Sequence, residues 1–167
     1  MKLTKRCVSI LFIIFFLSAC DVGSSKSEEK TALLVHPTGR DVQYNKVKGT
    51  SQVSYSVSVK YPARDVIDWL SNELKQNGWK PLDYDFLDPK IKLSHVTGWT
   101  SFIDSRTPVE YQIHQWLGNW QDASGGVVRY QLRYEYPKRS QPELSVLKVS
   151  AVYISPELAR EAEKFPK

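Results

Sequence analysis

Residues 52–79, QVSYSVSVKYPARDVIDWLSNELKQNGW, decide the fold. In the first ten, Val53, Tyr55, Val57, Val59 and Tyr61 alternate with Gln52, Ser54, Ser56, Ser58 and Lys60. A period of two sends apolar and polar side chains to opposite sides of a strand, so this strand belongs to a sheet buried on one side only. The period then changes. Ala63, Val66, Ile67, Leu70 and Leu74 recur at helical spacing and form one apolar stripe. Pro62 suits a first helical position, where a missing N–H costs nothing. Asn77-Gly78 suits the end, with glycine in the left-handed position beyond the last turn. The spacing predicts a helix over Pro62–Asn77. A return strand follows from Trp79, with Leu82, Tyr84 and Phe86 alternating.

Working outward, Ala32–Val35 reads as a short first strand and His36–Lys48 as irregular. Asp88-Pro89 breaks the pattern after Phe86, and weaker strand signals lie at Ile91–Val96 and Trp99–Ile103. Val109, Tyr111 and Ile113 alternate in a strand ending near Gln115, and Gly118–Gly126 reads as turn-rich. Val128, Tyr130, Leu132, Tyr134 and Tyr136 give a second clean alternation. Leu144–Ile154 is the last strand, and it pairs most simply antiparallel with the preceding one. Ser155-Pro156-Glu157 looks like a helix cap, a first-turn proline and a dipole-compatible acid, opening a terminal helix with Leu158, Ala162 and Phe165 on one stripe. The expected domain, residues 32–167, is therefore α+β: a mainly antiparallel sheet, one helix packed on one face and a short C-terminal helix.

The amino terminus is of a different kind. Lys2, Lys5 and Arg6 precede an apolar run from Val8 to Leu17, the charged-then-apolar order of an export signal. The run is short of the roughly 20 residues a membrane-spanning helix needs. It closes on Leu17-Ser18-Ala19-Cys20, with small residues before a nucleophilic sulfur. Residues 21–31 hold almost no apolar side chain and read as a solvated tether, with an r.m.s. reach of about 18 Å.

These four residues resemble the lipobox of bacterial lipoproteins. The resemblance covers the signal and anchor only. It implies removal of residues 1–19, a diacylglycerol thioether on Cys20, and a membrane partner reached through that lipid. One acyl chain binds a bilayer marginally and two or more bind stably, at about 0.8 kcal/mol per buried methylene. Asp21 resembles the signal that retains such proteins in the inner membrane, facing the periplasm; the outer membrane is the alternative. The strand–helix–Gly-Trp–strand run is loosely similar to units of small bacterial lipoproteins and brings no activity with it.

Removing the signal also changes the charge. Lys2, Lys5 and Arg6 leave a total of 23 basic residues set against 18 acidic ones, so the mature excess falls to about +2 and nucleic acid is not an expected partner. Cys7 departs with the signal and Cys20 takes lipid, leaving the 32–167 domain without a thiol for a disulfide, a metal or catalysis. His36, His95 and His114 have no metal-ligand spacing. Asp83, Asp85 and Asp88 fail a calcium loop, because Leu87 and Asp88 fill the third-donor and glycine places. No G-x-S-x-G elbow occurs. Glu110 and Glu135, on polar faces of neighbouring strands, are the one carboxylate pair to consider for glycoside hydrolysis. Trp116 and Trp120 are a candidate aromatic binding surface, placed beside His114 and in the presumed turn. No catalytic residue, cofactor or metal site is assigned. The expected function is non-enzymatic binding to an envelope protein beside the membrane; the alternative is a cell-wall glycan binding module or weak hydrolase.

Overall fold

The computed structural model describes residues 29, 31–86, 88–93, 98–105, 110–140 and 142–163. Cys20 and most of the tether lie outside them. In chain order the elements are β1 (Arg40–Val47), β2 (Thr50–Ser58), α1 (Arg64–Gln76), β3 (Lys80–Leu82), β4 (Tyr84–Asp85), β5 (Asp88–Lys92), β6 (Thr100–Asp104), β7 (Tyr111–Gln121), β8 (Val127–Pro137), β9 (Val146–Ile154) and α2 (Pro156–Glu163). The main sheet has the order β1-β2-β9-β8-β7-β3, with β6 also paired to β7; β4 and β5 form a separate ribbon. Every pairing is antiparallel.

The alternating strands behave as their period requires. Val53, Tyr55 and Val57 of β2 and Val128, Tyr130, Leu132 and Tyr134 of β8 are buried, and they share one core with Leu147, Val149, Ala151 and Tyr153 of β9. The stripe on α1 enters the same core through Val66, Ile67, Leu70 and Leu74. Each such aliphatic side chain contributes roughly 1.5–3 kcal/mol on burial. Gly78 takes the left-handed φ of 84° after the helix, as expected. A second, smaller cluster joins Ala159 and Leu158 of α2 to Val127, Val152 and Ile154, residues from the sheet face turned away from α1. Ser155 caps α2, its hydroxyl accepting from Leu158 N–H at 3.4 Å. Ala162 is exposed rather than part of the apolar stripe, and Phe165 lies outside the described residues.

Several local expectations are corrected. Pro62 does not open the helix: Tyr61-Pro62 is cis and sits in a turn closed by Ala63 N–H donating to Lys60 O at 2.9 Å, with the helix starting at Arg64. The strand–helix–strand unit is not a pair of neighbours. β3 pairs with β7, so α1 crosses over β9, β8 and β7 to reach a strand parallel to β2. Leu82 and Tyr84 fall on separate short strands, and Asp88-Pro89 begins β5 rather than a break. Arg40–Val47 is a strand with all eight residues exposed; an edge strand packed on neither face leaves no periodic trace. Ala32–Val35 is not a strand: Ala32 is helical, Leu33 N–H donates back to Glu29 O, and other backbone groups here bond a side chain. Tyr130 hydroxyl donates to Ala32 O and accepts from Leu34 N–H, both at 2.7 Å.

Contacts with the domain also begin before residue 32. Glu29 O accepts from Leu33 N–H at 3.2 Å, its carboxylate pairs with Lys46 at 2.6 Å, and Thr31 accepts from the Trp79 indole at 3.3 Å. The chain is thus held to the domain from Glu29, before the expected start at 32.

Candidate functional site

Trp116 and Trp120 are not a surface. They are 0% and 2% exposed, in ring contact with each other at 6.1 Å and part of the main core. Of the presumed turn Gly118–Gly126, residues 118–121 are the end of β7, and Gly118 between the two tryptophans is a strand residue whose missing side chain leaves room for both rings. The remainder is a turn, as expected, built on Asp122, whose carboxylate accepts from the N–H groups of Ser124 and Gly126, both at 2.8 Å.

An accessible aromatic group exists on the same face, further along β7 and β8. Tyr61 ends the turn after β2, Trp99 precedes β6, His114 lies on β7, and Tyr134 and Tyr136 lie on β8. Tyr61 makes ring contacts with Trp99 at 5.2 Å, His114 at 5.1 Å and Tyr134 at 5.8 Å. Trp99 contacts Tyr134 at 5.6 Å, and His114 stacks on Tyr136 at 5.9 Å with 20° between planes. Tyr134 is buried beneath, its hydroxyl donating to Val59 O at 2.8 Å; burial, aided by the charges of Asp65 and Tyr61, pushes its phenol upward. Tyr61 is 40% exposed, and Trp99, His114 and Tyr136 are partly so. The Trp99 indole nitrogen is covered and has no hydrogen-bond partner.

The polar atoms of this group lie at ring edges. Ser101 Oγ lies 2.6 Å from His114 Nδ1, and Tyr136 hydroxyl 3.5 Å from Nε2. Ser101 and His114 are direct cross-strand partners, so this contact follows from sheet register. Both imidazole nitrogens face hydroxyls, and a carboxylate that would orient a catalytic imidazole is not among its partners. The arrangement offers stacking surface and hydrogen bonds.

The group stands at the far end of the sheet from where the chain enters. Lys46, which holds Glu29, aligns through Ser51 and Tyr153 with Val128. Tyr134 lies six residues further along β8, a distance of about 20 Å at strand rise.

The opposite face carries a polar hollow of about 530 Å³, lined by Ser54, Ser56, Gln131, Arg133, Glu135 and Lys148 among others. Glu135 lies 3.3 Å from Arg133 and 3.7 Å from Lys148. Glu110 instead pairs with Lys138 at 2.9 Å and is exposed. The two glutamates pair with different cations.

Asp85 is buried and bound by Arg129, a structural pair rather than part of a cation loop. His36 lies against Trp69 at 4.9 Å and His95 is outside the described residues. Among the described residues no group of three or more His, Cys, Asp or Glu could hold a metal, and no helix is long and apolar enough to cross a membrane. No protein-family model, curated protein or solved structure matches the chain.

Proposed function

We propose that this is a bacterial envelope lipoprotein, anchored by lipid on Cys20, whose domain binds a ligand without catalysis through the aromatic group of Tyr61, Trp99, His114 and Tyr136. In this reading α1 covers one face of the sheet, the short α2 closes only an end of the other, and the uncovered part of the first face is the binding surface. The observation that carries the anchor is Leu17-Ser18-Ala19-Cys20 directly after the apolar run. The position of the aromatic group supports the rest. A chain tethered near Glu29 carries that group at the end of the sheet furthest from its attachment, which leaves it open to a ligand beyond the membrane surface. Asp21 favours the inner membrane, with the domain in the periplasm.

The anchor is tested by replacing Cys20→Ser and fractionating cells. The expected variant is unprocessed or lost from the lipid-modified fraction, and it no longer incorporates labelled palmitate. A variant that is processed and membrane-bound like the wild type overturns the lipoprotein reading.

A further inference from the structure

We infer that the ligand class of the aromatic group is a saccharide, bound by stacking of a pyranose ring on the partly exposed rings. The inference rests on the binding reading above and names its ligand.

The reason lies in how apolar and polar surface are mixed. A pyranose presents a face of C–H bonds and a rim of hydroxyls. It needs an aromatic platform with hydrogen-bonding atoms at its edges, whereas an aliphatic groove suits an apolar helix. Tyr61 supplies the most exposed ring and is fixed from below by Tyr134, Trp99 and His114 at 5.1–5.8 Å, so little side-chain freedom remains to be lost on binding. Ser101, His114 and Tyr136 place hydroxyl and imidazole atoms beside it, within 2.6–3.5 Å of one another. These groups both donate and accept, as sugar hydroxyls do. By contrast, the hollow on the opposite face is lined mainly by polar and charged side chains, Arg133, Glu135 and Lys148 among them. The envelope placement makes a polymer of N-acetylhexosamines the natural candidate, since its rings are the repeating face such a platform would meet.

The test uses full-length processed protein in detergent. Tetra-N-acetylchitotetraose is titrated while tryptophan fluorescence and heat are recorded, and purified cell-wall sacculi are used in co-sedimentation. The inference expects saturable binding to both. Tyr61→Ala should weaken it about tenfold, the loss of one stacking contact, and Tyr61→Phe, which keeps the ring and its packing, should bind like the wild type. Tyr136→Leu should weaken it as well. Absence of saturable binding, or equal binding by Tyr61→Ala, overturns the saccharide assignment. A photo-crosslinking side chain at position 61 separates the two levels. Capture of a protein without saccharide binding overturns the ligand class and leaves the binding reading standing. Capture of nothing, with no saccharide bound, overturns both.

Discussion

Gly118 and Trp116 occupy one space: a Cβ on Gly118 would lie 2.5 Å from Cη2 of Trp116, and 2.6 Å from the matching atom of Trp120. Residues two apart on a strand share a face, so both indoles fold back over the glycine between them. The ring contact at 6.1 Å depends on that gap.

Gly118→Ala is therefore expected to destabilise the domain by at least the 1–3 kcal/mol typical of overpacking, although alanine is otherwise the better strand residue. Urea denaturation followed by tryptophan fluorescence checks it. An unchanged midpoint would show that the indoles are not seated over residue 118.

Asp85 and Arg129 form a two-bond pair, with Nε to Oδ1 at 3.3 Å and Nη2 to Oδ2 at 2.9 Å. The aspartate side chain is 3% exposed. Asn119, also buried, donates to Tyr84 O at 3.0 Å, so two polar contacts tie the β4–β5 ribbon to the main sheet. Asp85→Ala leaves a largely covered guanidinium without its anion and is expected to cost about 3–5 kcal/mol. The double change Asp85→Leu with Arg129→Met should recover much of that loss. A double-mutant cycle by urea denaturation measures the coupling; strictly additive effects would rule out the pair as a unit.

Burial holds the phenols of Tyr55 and Tyr130 well above their ordinary value of 10.0. Their folded-state pKa values exceed the unfolded ones, so the unfolded chain releases these protons first. The stability from keeping them neutral is fully present below pH 10 and is lost as pH rises above it. Unfolding midpoints measured from pH 7 to pH 11 should fall steeply only over the last unit. Tyr130→Phe should flatten that fall. The same change removes the partner of Ala32 O and Leu34 N–H, at about 1–3 kcal/mol already at pH 7, and should speed amide exchange at Leu34. A Tyr130→Phe protein with wild-type stability and exchange would contradict the role of this hydroxyl in holding residues 32–34.

The helix α1 and the strands β2, β8 and β9 were legible in the amino-acid order, because each carries its apolar residues at a single period against one core. So was the ending of α1 at Gly78, a backbone requirement local to the turn. What periodicity does not carry is partnership and coverage. β1 has no buried side and so no pattern, and β3 finds β7 across three strands, a relationship set by where α1 lands. The same limit governs the candidate site. Alternation runs the strand only to about Gln115 and leaves Trp120 in a turn; in the structure His114, Trp116 and Trp120 share one face of β7, and only packing decides how far along that face water is excluded. Trp116 and Trp120 lie within the core, while His114 remains at the margin beside Tyr61, brought there by a turn 53 positions earlier in the chain. Cys20 stands apart from this division: its expected chemistry is read from its neighbours in sequence alone.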